Sequence, residues 1–172
     1  MTGWKTYYQP LSANAVKDFR SPLTGCYCCN GTGLENPARY GSEIYSHNGS
    51  GLRVNLFIAS TLNWQEKGIH VVQSTRFPED PRSRLTLEMK QAVDTEISIR
   101  VPSWCTHGFS IKINDTPFVG ETKPGSYTRL QRTWNPGDRI DIELPMSFSK
   151  YPMPDKASQM AFLYGPIVMV AE

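Results

Sequence analysis

Three of the four cysteines in this chain fall within four positions, in Gly25-Cys26-Tyr27-Cys28-Cys29-Asn30-Gly31-Thr32-Gly33. Thiolates held this close suit a soft metal, and zinc keeps a bound thiol deprotonated at neutral pH. Cys28 and Cys29 can both reach one ion only if the backbone turns sharply, and Gly31 and Gly33 offer that freedom. The chain has no matching Cys-x-x-Cys or His pair, and Cys105 stands alone, so a four-ligand site needs groups from elsewhere. The pattern is not the spread framework of a small disulfide-rich protein, and adjacent cysteines bridge each other only with strain. Spacing alone leaves two readings open: metal ligands, or small buried apolar side chains.

The elements around this string change character along the chain. Residues 1–25 are irregular. Leu34, Ala38, Gly41 and Ile44 or Tyr45 recur at helical spacing, which predicts a helix over residues 34–46 with Asn36 and Pro37 at its start. Asn48-Gly49-Ser50-Gly51 then stops it. Beyond Gly51 the period is two: Leu52, Val54, Leu56 and Ile58 form one set, Leu85, Leu87 and Met89 another, and Ile97, Ile99 and Val101 a third. Residues 69–77, 109–113, 127–131, 140–144, 160–164 and 167–170 add further short runs. Asn114-Asp115 and Trp134-Asn135-Pro136-Gly137-Asp138 are strong turn signals. Roughly eight to ten short strands at intervals of about 8 to 12 residues predict a mainly β fold, an antiparallel β-sandwich. A boundary near residue 48 divides the chain into 1–48 and the sandwich, 49–172.

Composition narrows the function classes. The chain has 172 residues, of which 39% are hydrophobic and 20% charged, the profile of a globular protein. The net charge is +2 and the basic residues are scattered, so no stripe for nucleic acid is present. No apolar run reaches the ~18 residues of a membrane helix. Residues 1–10 contain no apolar core of a signal peptide.

The cysteine string, followed by Tyr40-Gly41-Ser42-Glu43-Ile44-Tyr45, resembles glycoside hydrolase family 127, the β-L-arabinofuranosidase-like enzymes. The resemblance continues through Leu52-Arg53-Val54-Asn55-Leu56-Phe57-Ile58, Leu62-Asn63-Trp64, Ile99-Arg100-Val101-Pro102-Ser103-Trp104 and Phe109-Ser110-Ile111-Lys112-Ile113-Asn114. Trp134-Asn135-Pro136-Gly137-Asp138 and Tyr164-Gly165-Pro166 complete it. It implies the end of an (α/α)6 barrel over residues 1–48, here a short irregular and helical remnant, followed by a β-sandwich. It implies a retaining, exo-acting hydrolase of an L-arabinofuranoside or related sugar, with zinc as cofactor. Carried over by position, Cys28 is the nucleophile and a zinc ligand, and Cys29 is a second ligand. Cys26 matches a motif position without a chemical role. The family's remaining ligands, a glutamate and a third cysteine, and its acid/base glutamate lie upstream; Glu35 and Glu43 do not replace them. Arabinofuranosidases follow the pair with Pro-Pro-Asn, whereas here it is Asn30-Gly31-Thr32-Gly33, as in another branch of the superfamily. Twelve barrel helices need well over ~150 residues at the usual helix length. The chain on its own is therefore expected to be inactive, and to self-associate through a face the barrel normally covers.

Other residues carry weaker signals. His47, His70 and His107 are isolated and read as surface or structural groups. Cys105 reads as a small buried side chain. Trp64, Trp104 and Trp134 suit sugar stacking, but core packing or turn anchoring suits them better. Asn30-Gly31-Thr32, Asn48-Gly49-Ser50 and Asn114-Asp115-Thr116 fit a glycosylation sequon that recurs by chance. Arg82-Ser83-Arg84 reads as a solvated loop. Two rival functions remain: a non-catalytic carbohydrate-binding or structural sandwich marked by an exposed aromatic platform, and a small zinc-stabilised domain using all four cysteines.

Overall fold

A computed structural model describes residues 28–170, without the side chains of residues 28–30 and 32. The chain divides into two compact units, Met1–Glu43 and Ile44–Glu172. Within the first, helix α1 spans Cys28–Glu43. It starts earlier than expected and carries Pro37 in its interior rather than at its first turn. Pro37 has no N–H to give the Gly33 carbonyl, so the helix loses one rung there. It also ends earlier than expected, at Glu43, with the Ser42 hydroxyl donating to the Arg39 carbonyl at 2.8 Å.

The second unit is a two-sheet sandwich. Strands β1 (Tyr45–Asn48), β2 (Gly51–Val54), β6 (Val93–Val101) and β9 (Ser126–Trp134) form one sheet in that order. Strands β3 (Ser60–Trp64), β4 (Ile69–Thr75), β5 (Arg82–Met89), β10 (Arg139–Glu143), β7 (Ser110–Ile113) and β8 (Thr116–Pro117) form the other. Every pairing is antiparallel except β2 with β6, which is parallel. Alternation drives the assembly: Leu52, Val54, Ile97, Ile99, Leu130 and Trp134 from the first sheet meet Ile69, Val71, Leu85, Leu87, Ile140 and Ile142 from the second in one core. Fully burying such a side chain contributes about 1.5–3 kcal/mol, so this core dominates the stability of the unit.

The turns follow their local chemistry. Asn114 and Asp115 both have positive φ, 49° and 67°, as a type I′ hairpin requires between β7 and β8. Gly137 has φ 84° in the turn before β10, where the Asp138 carboxylate accepts the Asn135 N–H at 2.9 Å. Asn48 Oδ1 accepts from the Ser50 and Gly51 N–H groups and closes the β1–β2 hairpin. That hairpin occupies the place where the sequence suggested a domain boundary.

Two strands differ from the sequence pattern. β2 stops at Val54, and Phe57 rather than Ile58 enters the core. The Asn55 and Leu56 N–H groups converge on the Ile44 carbonyl, at 2.9 and 3.4 Å, which ends the ladder and shifts the phase. Gln73, 2% exposed, then holds the irregular stretch by donating to the Leu56 and Ile58 carbonyls at 3.1 and 2.8 Å. Arg82-Ser83-Arg84 is not a loop but the start of β5, with Ser83 buried beneath the sheet.

A third, smaller sheet follows: β11 (Phe148–Pro152), β12 (Met160–Tyr164) and β13 (Ile167–Val168), all antiparallel. It contributes no residue to the main core. Phe148, Phe162 and Val168 on it are 75%, 51% and 59% exposed.

Candidate functional site

Helix α1 opens at Cys28 and Cys29, so the paired thiols sit on its first turn. Successive residues on a helix project about 100° apart around the axis. The first turn contains no acidic residue. The residue types fit zinc, but two cysteines make half of a tetrahedral set. Among the described residues no group of three or more His, Cys, Asp and Glu side chains is placed to hold a metal. Cys26 lies outside the described residues.

Cys105 sits in the sandwich instead, 1% exposed, with its sulfur 3.6 Å from the Pro145 carbonyl oxygen. Burial pushes its thiol pKa up. It behaves as a small buried side chain. The histidines have local partners: His47 Nδ1 lies 3.7 Å from Glu66, His70 Nδ1 is 2.9 Å from Glu88, and His107 pairs with the Thr106 hydroxyl. Trp64 and Trp134 are core residues. Trp104 is half-buried and stacks on Phe77 with centroids 5.8 Å apart, so one of its faces is taken. The three tryptophans do not form an open platform. Asn114 is also in structural use, donating to Asp138 and accepting the Arg139 N–H.

Sequence reasoning missed a polar cleft on the outer face of the six-stranded sheet, lined in part by Arg82, Arg84, Lys112, Asp141 and Glu143. The available signal was charge at alternate positions of three strands, which the residue pattern alone places at a solvated surface.

The model of the β-L-arabinofuranosidase GH127 middle domain matches residues 51–146. The chain belongs to that family. It is similar to a GH127 β-L-arabinofuranosidase from Geobacillus stearothermophilus T6, at 26% identity and TM-score 0.74 over 89% of this chain. A protein described as a glycoside hydrolase gives 26% identity and TM-score 0.73 over 92%. A further GH127 β-arabinofuranosidase shares the fold, at 21% identity and TM-score 0.74 over 88%. The chain spans only about a quarter of each, 25%, 28% and 27% of their lengths. No curated protein matches it. Among the described residues no helix is long and apolar enough to cross a membrane.

Proposed function

We propose that this chain is the portion of a retaining glycoside hydrolase that joins the end of a catalytic helical barrel to a β-sandwich, and that it acts on an L-arabinofuranoside or a related sugar. The observation that carries the reading is the order within one chain: a cysteine pair opening α1, then a GH127 middle-domain match at residues 51–146.

In this reading residues 1–43 hold the end of the barrel and the sandwich runs from β1 onward. Cys28 is the nucleophile, and Cys28 and Cys29 are two of the zinc ligands. Zinc supplies positive charge that keeps the thiols ionised at neutral pH. The Cys28 thiolate attacks the anomeric carbon; a C–S bond forms as the glycosidic C–O bond breaks, and an acid protonates the departing oxygen. The same group, now a base, takes a proton from water. Water displaces the sulfur, giving the free sugar with retained configuration and returning the thiolate. That acid/base and the other ligands are contributed from outside this chain, so the chain alone is inactive.

The test joins this chain to the upstream helical barrel that the reading requires. We expect stoichiometric zinc and hydrolysis of a chromogenic β-L-arabinofuranoside, with Cys28→Ser lowering turnover at least ~10³-fold. Normal turnover by Cys28→Ser, or activity without bound zinc, would sink the assignment.

A further inference from the structure

We propose that the outer face of the six-stranded sheet carries a binding site for a neutral polyhydroxylated ligand such as a glycan chain. The cleft there has a volume of about 410 Å³, within the range of small-molecule sites. Three adjacent strands build it. The register aligns Arg84, Asp141 and Lys112 in one row and Arg82, Glu143 and Ser110 in the next.

The rows are not equivalent in how their charges are used. Arg84 Nε donates to Asp141 at 2.5 Å, so those two groups hold each other. Arg82 grips Asp80 through two hydrogen bonds of 2.8 Å, and Glu143, its partner across the strands, acts on it only through its charge. That grip keeps the Asp80 carboxyl below its ordinary range, chiefly through the hydrogen bond from Arg82. Lys112 and Glu143 are left without a salt-bridge partner among the described residues. They stand diagonally across two strands, which places their Cβ atoms about 7–8 Å apart or somewhat less. Ser110 faces Glu143 directly.

An ammonium that only donates and a carboxylate that only accepts, with one hydroxyl next to both, match a diol. One ligand hydroxyl accepts from Lys112 and its neighbour donates to Glu143, while Ser110 does either. A charged ligand would satisfy one of these groups and repel the other. The inference does not depend on the catalytic role of Cys28, because every residue in it lies on β5, β7 and β10.

The experiment is an amide chemical-shift titration of the isotope-labelled 172-residue chain with arabinotriose, with galacturonic acid as the charged comparison. We expect saturable shifts at Arg84, Lys112 and Glu143, with Lys112→Ala and Glu143→Ala each weakening binding about tenfold while the rest of the spectrum stays in place. Both side chains are exposed, so both variants are expected to fold. Absence of saturable shifts on β5, β7 and β10 overturns the proposal, as does binding that survives both substitutions. Preference for galacturonic acid with dependence on Lys112 alone also overturns it, making the cleft an anion site.

Discussion

Two buried tryptophans differ in one hydrogen bond. Trp134 Nε1 donates to the Thr95 carbonyl at 3.1 Å, whereas the similarly buried Trp64 Nε1 has no partner among the described residues. Trp64→Phe removes an unsatisfied donor along with some volume, but Trp134→Phe also strands a carbonyl. We expect Trp134→Phe to cost at least ~1 kcal/mol more than Trp64→Phe in urea unfolding; equal losses would contradict the assigned hydrogen bond. Alkaline pH offers a second residue-level prediction. Burial raises the pKa of Cys105, and burial raises that of Tyr45 against an opposing hydrogen bond from Ser60. For both, the unfolded group ionises first. Their stabilisation is complete below the unfolded values, about 8.5 for a thiol and about 10 for a phenol, and is lost as pH rises through the folded ones. The urea midpoint should fall in two stages above pH 8, and Cys105→Ala should remove the first. An unchanged first stage in that variant would assign it to other groups. At this scale the sequence singled out Cys28 and Cys29 but not the cleft, because isolated charges such as Lys112 and Glu143 acquire meaning only from strand register.

The parallel contact between β2 and β6 constrains a glycine. A Cβ added at Gly51 would lie 2.8 Å from the Glu96 carbonyl oxygen, a backbone atom that cannot swing aside, while one at Gly49 meets nothing within 4 Å. Gly51→Ala should therefore cost about 1–3 kcal/mol of stability, and Gly49→Ala less than about 0.5 kcal/mol. Similar unfolding midpoints for the two would show that the sheet edge can yield. Period-two runs such as Leu85-Thr86-Leu87 and Ile97-Ser98-Ile99 marked the strands well, because the apolar side chains of each share the core-facing side, even where the small polar residue between them, Ser98, is buried too. The start of α1 was less legible: Asn36-Pro37 has the chemistry of a helix start, and nothing local announces that the helix already runs through it from Cys28. The extent of β9 was hidden too, since Arg132 and Thr133 break the apolar pattern before Trp134 returns to the core. Parallel pairing has no local signature, since it joins strands distant in sequence.

Across the whole molecule, the small third sheet leaves an apolar surface open, with Phe148, Phe162, Met160 and Ile167 all exposed. Surfaces of this kind drive association in solution. The isolated chain should sediment with a mass that rises with concentration, and Phe148→Ser with Phe162→Ser should suppress the rise. A monomer at every concentration would remove self-association from the account. The other large-scale feature is the path of the chain between the two principal sheets. It lays down β1 and β2 in one, β3 to β5 in the other, returns for β6, leaves for β7 and β8, returns for β9, and ends in β10. No contiguous stretch of sequence encodes either principal sheet by itself. A genetic crossover anywhere between β3 and β9 would join strands from two parents within both layers at once. The sandwich is thus inherited as an indivisible block, and exchange between related genes is tolerated most readily at its margins, before Ile44 or after the end of β10.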